Sequence, residues 1–227
     1  MLNIFVAATL LFTIAQDYRD YSATDDSGLS VPVRYYSPPY GGAPVIVVVH
    51  DWGGSIDRWE DVSAKLQKLG FGVVLFNLRG HDGSSIPYYR FSDVQIKDLQ
   101  RDVALAVDFA RKRAPGNIIL MGAGLGANLA LMVAAEDVEI GKIVALSPGL
   151  HYRGLMINGD MTEKLDGRVM LVASQEDSYS VFSIDIMARH FETAPEVKYY
   201  SNVGHGVWII KRLPEALATV ARWLSEG

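Results

Sequence analysis

Three short segments of the sequence carry residue types that could act together in acyl transfer. A glycine cluster, 122–126, follows an apolar run; Asp177 follows a second one; and His205 lies between two glycines. A tight strand-to-helix turn, then an acid, then a histidine is the chain order of nucleophile, acid and base in one group of triad enzymes. The middle of the turn is Gly124, however, and glycine has no atom that can attack a carbonyl. The segments therefore predict a triad-like site without its nucleophile.

Apolar runs and helical spacing predict the elements that position these segments. Alternating strands and helices imply an α/β fold with a mostly parallel twisted sheet, helices on both faces and right-handed crossovers. The carboxyl ends of such strands meet at one edge, where ligands bind. The predicted strands are 43–50, 71–78, the start of 117–130, 142–146, 168–173 and 197–200; the predicted helices are 56–69, 93–113, the end of 117–130, 181–191 and 213–224; a hairpin, 18–25 and 29–37, precedes them, and 147–166 is a loop.

Composition limits the function classes that remain. The 227 residues suit a single domain, over 17–227, and the formal charge of -5 with no long basic block argues against a nucleic-acid partner. Without cysteine, disulfides and thiolate chemistry are excluded. No spacing of histidine and carboxylate residues suggests a metal site, and no cofactor is expected.

The N-terminal segment 1–16 is apolar but too short to span a bilayer, so no stable membrane span is expected. Two interpretations are open. It is a secretory signal cut after Ala15, and the protein is then exported to the periplasm or secreted, or it is an apolar leading segment of a cytoplasmic protein. The small residues Thr13 and Ala15 favour export, whereas the lack of basic residues near Met1 counts against it.

Five stretches together give the sequence a recognisable resemblance over roughly 25–225. They read VVVHDWGG, NLRGHDGS, MGAGLGANLAL, SQEDSYS and NVGHG. The sequence resembles the α/β-hydrolase superfamily, specifically small capless members related to dienelactone hydrolases and serine esterases or aminopeptidases. The resemblance implies serine attack on a small-molecule ester or amide.

By this resemblance, Asp177 is the triad acid, His205 the general base, and the backbone N–H groups of Trp52 and Leu125 the oxyanion donors. Two positions depart from the family pattern. Asp51 stands where glycine is usual, which we expect to matter little, and Gly124 stands where the nucleophile belongs. The loss of a triad serine costs on the order of 10⁶ in turnover.

The short segment 147–166 leaves little material for a lid over this site. We therefore expect an open cleft for substrate near Trp52, Tyr152 and Met156. If everything but the nucleophile is in place, Gly124→Ser alone should create or restore esterase activity.

Four functions are compatible with the sequence. The first is an acyl hydrolase that is silent or severely impaired; the second is a non-catalytic module that binds small molecules in the same pocket. The third is a hydrolase in which His205 activates water directly. The fourth, a dinucleotide-binding oxidoreductase, rests on the match of Gly122-x-Gly124-x-x-Ala127 to a dinucleotide fingerprint. The following strand tip, 146–148, lacks the acidic residue which that fingerprint needs.

Overall fold

The computed structural model describes residues 18–81 and 86–226. The predicted signal or leading segment 1–16 lies outside the described residues. Ten strands are present among them: β1 (Tyr18–Thr24), β2 (Ser30–Tyr36), β3 (Val45–Val49), β4 (Gly72–Phe76), β5 (Ile118–Ala123), β6 (Ile140–Leu146), β7 (His151–Tyr152), β8 (Leu155–Met156), β9 (Val169–Ser174) and β10 (Glu196–Tyr200). The α-helices are α1 (Glu60–Lys68), α2 (Asp93–Asp98), α3 (Gln100–Arg113), α4 (Leu125–Glu136), α5 (Gly159–Lys164), α6 (Ser178–Met187), α7 (Val207–Arg212) and α8 (Pro214–Ser225).

Eight of the strands form one sheet in the order β1-β2-β4-β3-β5-β6-β9-β10. The predicted hairpin supplies β1 and β2, which pair antiparallel, and β2 joins β4 antiparallel as well. Every other neighbouring pair in this sheet is parallel. The predicted α/β fold with a mostly parallel sheet is confirmed.

Two apolar cores cover the two faces of the sheet. On β3, Val45, Val47 and Val49 face one core, and Ile46 and Val48 face the other. The first core is completed by α3, α4 and α6, and the second by α1, α7 and α8. Because both faces are buried there, the central strands β3, β4 and β5 are continuous apolar runs with no polar alternation. Within residues 18–81 and 86–226, every helix is too short or too polar to span a bilayer.

The segment 93–113 differs from the single helix that its spacing predicts. It is divided into α2 and α3 at Leu99. The Leu99 amide donates to the Ile96 carbonyl (3.2 Å) and the Asp102 amide donates to the Leu99 carbonyl (3.1 Å). These i to i+3 bonds tighten the turn that separates the two helices. Both Ile96 and Leu99 are buried.

Two further segments contain more structure than predicted. The predicted loop 147–166 contains the hairpin β7–β8 and α5, whose N-terminus is capped by the Asn158 side chain. In addition, α7 follows the glycine pair around His205 directly, ahead of the predicted terminal helix. Each of these added strands and helices has six residues or fewer, too few for periodicity to reveal it.

Candidate active site

The tight turn predicted at the glycine cluster joins β5 to α4 with backbone in contact with backbone. A Cβ atom on Gly122 would overlap the Gly126 carbonyl oxygen, and one on Gly126 would overlap the Val49 carbonyl oxygen. Only glycine at both positions permits this approach. The first turn of α4 is thereby held against the carboxyl end of β3.

Gly124 occupies the apex of this turn, with φ 52° and ψ -119°. Its amide donates to the Leu146 carbonyl (2.9 Å), which ties the apex to the end of β6. A residue with a side chain is strained in this region of conformational space by about 1–3 kcal/mol. Glycine adopts it without that cost, so the turn keeps its shape although no nucleophile is present.

The acid and the histidine meet across the sheet edge. His205 Nδ1 lies 2.6 Å from Asp177 Oδ2, although the residues are 28 positions apart. Asp177 is also the N-cap of α6 and accepts a hydrogen bond from the Ser180 amide (3.3 Å). The histidine loop is anchored by the Gly206 amide, which donates to the buried Ser147 hydroxyl (2.9 Å). The fold thus brings the predicted acid and base together in hydrogen-bonding geometry.

The Asp51 carboxylate occupies the centre of the site. Its Oδ1 accepts hydrogen bonds from the amides of both Trp52 (2.7 Å) and Leu125 (2.9 Å), the two groups expected to bind an oxyanion. Its Oδ2 lies 3.3 Å from His205 Nε2, an ion-pair distance. Because Leu125 begins α4, the positive end of the helix dipole also favours this carboxylate. The expectation that Asp51 matters little is therefore wrong.

Asp51 also fills the space that a side chain at position 124 would need. A Cβ atom on Gly124 would overlap the Asp51 carboxyl group. A serine at position 124 and the carboxylate would compete for one volume, and the Trp52 and Leu125 amides hold the carboxylate in place. We therefore expect Gly124→Ser to need a second change at Asp51 before the triad is complete. The two departures from the family pattern, Asp51 and Gly124, are thus coupled, because both concern the same space. The sequence contained a sign of this coupling, since an acid replaces the usual glycine in the same chain that lacks the nucleophile.

The charges at the site form a row of three groups. The hydrogen bond to Asp177 and the neighbouring Asp51 carboxylate raise the pKa of His205 to about 9, against the effect of its burial. Burial disfavours ionisation of Asp177, but hydrogen bonds from His205 and Ser180 outweigh it and lower the pKa of Asp177 to about 2. At neutral pH the arrangement is therefore an imidazolium between two carboxylates.

His50 supports the loop that carries Asp51. Its side chain is buried, and burial lowers its pKa to about 4, so the ring is neutral. His50 Nε2 accepts from the Leu78 amide (3.0 Å), which leaves Nδ1 to donate to the Asp51 carbonyl (2.8 Å). His50 is thus structural and fixes the backbone at Asp51.

We predict that His205 titrates near pH 9, whereas Asp51→Asn lowers its pKa toward the ordinary 6.5. Because the folded-state pKa is raised, ionisation of His205 stabilises the fold fully below pH about 6.5, and this contribution is lost as the pH rises through about 9. NMR titration of the imidazole, combined with urea unfolding across this window, measures both effects. If His205 of the wild type titrated near pH 6.5, this result would contradict an imidazolium held between the Asp51 and Asp177 carboxylates.

One cavity lies directly beside Asp51 and the histidine, and the residues predicted to line an open cleft lie outside it. A cavity of 180 Å³ borders Asp51 and His205, and its other walls come from His50, Gly54, Arg58, Trp59, Ala123, Val207 and Trp208. None of the predicted cleft residues lines it. The Trp52 ring instead packs against His81 and Tyr88 beneath the Arg153 guanidinium, Tyr152 is half-buried, and Met156 is 58% exposed.

Other ligand chemistry has little support at this site. Within 18–81 and 86–226, no group of three or more histidine and acidic side chains could hold a metal ion. The glycine cluster that formally matches a dinucleotide fingerprint opens α4, but the Leu125 amide there is already bonded to Asp51. A pyrophosphate would have to displace that carboxylate.

The comparisons with known proteins agree with the observed fold. A family model described as alpha/beta hydrolase fold matches residues 44–185. A search of curated proteins by sequence finds no significant match.

Solved structures match over nearly the whole chain. Dienelactone hydrolase from Anabaena variabilis has a TM-score of 0.72 at 17% identity, covering 92% of this chain and 96% of its own. A thermostable carboxyl esterase from Bacillus coagulans, in complex with glycerol, gives 0.75 at 12% identity, covering 92% and 98%. An esterase from Pyrococcus furiosus gives 0.70 at 19% identity, covering 91% of both chains. At these identities the likeness is one of fold.

Proposed function

Because this chain belongs to the α/β-hydrolase family, we propose that its site is of the esterase type and has lost covalent serine catalysis. The observation that supports this proposal is the Asp51 carboxylate, which is bonded to the Trp52 and Leu125 amides beside a glycine apex. A carbonyl substrate would find neither a hydroxyl nucleophile nor an open oxyanion hole. The protein would thus resemble its relatives in fold and site layout but not in acyl transfer.

The charge on His205 argues against direct activation of water by this residue, the alternative route to ester hydrolysis. A general base must be unprotonated at the working pH. With a pKa of about 9, most of the imidazole carries a proton at neutral pH. The flanking carboxylates that hold this proton thus oppose hydrolysis without a nucleophile.

Three buried serines near the acid and the histidine do not have the environment of a replacement nucleophile. Ser174 is buried and donates to Glu176 (2.6 Å), while the buried Ser147 hydroxyl accepts from the Gly206 amide. Ser180 is buried within α6. These contacts hold loops and helices in place and leave none of the three hydroxyls beside a general base. They therefore support the loss of covalent serine catalysis.

We expect a fluorophosphonate probe to leave the protein unlabelled and an activated aryl ester to give no burst of product. Intact-protein mass spectrometry and stopped-flow absorbance measure the two results. The reason is that both reactions need an activated hydroxyl next to an open oxyanion hole. Stoichiometric labelling of any serine would overturn the proposed function. Labelling that vanishes on unfolding the protein would identify that serine as part of a folded site.

A further inference from the structure

A groove at the amino end of the sheet, opposite the edge that carries Asp51 and His205, has the build of a ligand site. We propose that this groove binds a linear alkyl carboxylate, such as a fatty acid anion, with its carboxylate beside Lys142 and its alkyl chain between α1 and α8. The groove shares no residue with the candidate active site, so this binding activity does not depend on the function proposed above.

The groove consists of two adjoining cavities, both lined by Leu69 and Ser225. The first has a volume of 340 Å³ and is bordered by Pro44, Phe71 and Asn117, which directly precede β3, β4 and β5. The second has a volume of 700 Å³ and lies between α1 and α8. Ligand pockets usually have volumes of about 300–1,000 Å³. Because the two cavities meet at Leu69, one flexible chain can extend from the first into the second.

The first cavity offers polar groups for a carboxylate. Tyr40, Asn117 and Lys142 border it, and their hydroxyl, amide and ammonium groups are all hydrogen-bond donors. The buried side chains of Phe71 and Leu224 form apolar walls next to these donors. An anionic head group and the first carbons of an alkyl chain would therefore both find matching surfaces here.

Lys142 is the cation that would meet the carboxylate. Its Nζ donates to the Trp223 carbonyl (2.6 Å) and to the Glu226 carbonyl, which uses two of the three ammonium protons. Within residues 18–81 and 86–226, no carboxylate lies at ion-pair distance from this ammonium. Burial lowers the pKa of Lys142, although the charge of Glu226 opposes that effect. A bound carboxylate would stabilise the charged form of Lys142 and supply the missing partner.

The second cavity supplies an apolar floor for the alkyl chain. Leu217 and Ala221 of α8 belong to this floor and are buried, whereas Leu69 at the junction of the cavities is 52% exposed. An alkyl chain along the floor would remove part of the Leu69 side chain from water, and the gain is proportional to the apolar area covered. The second cavity thus suits hydrocarbon.

Three cations surround this apolar floor. Lys65 and Lys68 lie on α1 and Arg222 lies on α8, and all three side chains are exposed. Among the residues that the structure describes, none of the three forms an ion pair. Their alkyl stems can widen the apolar floor while their charges stay in water. These charges attract an anionic amphiphile and disfavour a cationic one, so they select the sign of the ligand.

The shape of the groove favours a single flexible chain over a larger partner. A helix with its side chains is about 10–12 Å across, too wide for a cavity of 340 Å³. A bilayer surface could contact the rims of α1 and α8 but could not reach Lys142 between Phe71 and Leu224. A linear carboxylate has a small head group for the first cavity and a rotatable chain for the second.

Isothermal titration calorimetry of the full chain with sodium dodecanoate, below its micelle concentration, tests the class of ligand. We expect saturable binding of one dodecanoate per chain. Dodecanol and dodecyltrimethylammonium have the same alkyl chain without the negative charge, and they should bind at least tenfold more weakly. Dodecyltrimethylammonium that binds as tightly as dodecanoate would overturn the proposal, as would the absence of dodecanoate binding.

Two substitutions test the two cavities separately. Lys142→Gln should weaken dodecanoate binding at least tenfold and change dodecanol binding less than twofold, because it removes the charge alone. Ala218→Trp should weaken the binding of both ligands at least tenfold, because the indole would fill the second cavity. Lys97→Gln and Val94→Trp are the matched controls, since both positions are exposed on α2, and they should keep the wild-type affinity.

The result for Ala218→Trp decides the proposal even if Lys142→Gln loosens the end of α8. Position 218 is exposed, so the variant should fold, which circular dichroism checks. A folded Ala218→Trp protein with the wild-type affinity for dodecanoate contradicts binding between α1 and α8.

A dodecanoate that carries a diazirine at its terminal carbon locates the site. After photolysis, peptide mass spectrometry should find the label within 65–69 or 214–225. Label on the loops that carry Asp51 or His205 would instead place the ligand in the candidate active site, and the proposal would be wrong. Equal labelling of α2 would show non-specific adsorption and would exclude it as well.

Discussion

The double variant Asp51→Gly/Gly124→Ser is expected to gain esterase activity of about 10³-fold over the parent, part of the ~10⁶ that a triad serine contributes. Glycine at position 51 vacates the Trp52 and Leu125 amides for a substrate oxygen. It also removes the carboxylate that a side chain at position 124 would overlap. Asp177 and His205 are already 2.6 Å apart and need no rearrangement. Hydrolysis of short-chain aryl esters measures the gain.

The single variants separate the two obstacles. Gly124→Ser alone should remain as inert as the parent, because the new side chain collides with Asp51 and the oxyanion hole stays filled. Asp51→Gly alone should also be inert, because it opens the hole without supplying a nucleophile. The serine should cost about 1–3 kcal/mol of stability through backbone strain at the apex. A double variant that folds but equals the parent on a broad ester panel would contradict the proposed acyl-hydrolase layout.

Arg79→Ala is expected to lower the free energy of unfolding by about 3–5 kcal/mol, the usual cost of removing one partner of a buried ion pair. The Asp102 side chain is fully buried, and Arg79 Nε donates to it at 2.6 Å. Burial raises the pKa of Asp102, and the hydrogen bonds and charge of Arg79 oppose that rise. Without the guanidinium, a buried carboxylate would be left with the Arg79 backbone amide as its donor.

Urea unfolding at neutral and mildly acid pH tests this prediction. The deficit should shrink as the pH falls, because protonation of Asp102 removes the uncompensated charge. Arg101→Ala is the matched control, since that side chain is 50% exposed and its pair with Asp25 spans 3.3 Å. It should cost no more than about 1 kcal/mol. If both variants lost the same free energy of unfolding, the buried Arg79–Asp102 pair would contribute no more to stability than the exposed Arg101–Asp25 pair.

The pair also bears on the candidate site. Asp102 holds the backbone and side chain of Arg79 at the start of the loop after β4, and His81 in that loop packs against His50 and Trp52. Loss of Arg79 would therefore loosen the surroundings of the Asp51 loop as well as the global fold. We expect His205 to keep its raised pKa in Arg101→Ala and to lose part of the shift in Arg79→Ala.

The sequence by itself determined the order of the elements and the edge at which the site lies. Runs such as 43–50 and 71–78 have the continuous apolar character of strands that are buried on both faces. The glycines at 122, 124 and 126 indicate a tight turn in which backbone contacts backbone. These are local patterns, and each depends on residues close together in the chain. The placement of Asp177 and His205 at the same edge followed from the same reasoning, because parallel strands end at one edge, whereas their roles as acid and base came from the family resemblance.

Local sequence patterns could not predict the short helices or the break between α2 and α3. The break at Leu99 and the six-residue α7 have too few residues for a periodic signal, and tertiary packing decides them. The cleft near Trp52, Tyr152 and Met156 was likewise inferred from segment length, whereas the cavity next to His205 depends on how Trp59 and Trp208 pack.

Only the tertiary structure decided what Asp51 does. Sequence position marked it as a departure from glycine, but its function depends on two hydrogen bonds, one of which reaches an amide 74 residues away. Three loops from different strands must converge before the Oδ1 atom can contact both amides and the Oδ2 atom can approach His205. The absence of a side chain at Gly124 leaves the volume that this carboxylate fills, so one glycine and one acid that are distant in the chain become a single steric and electrostatic unit in the fold.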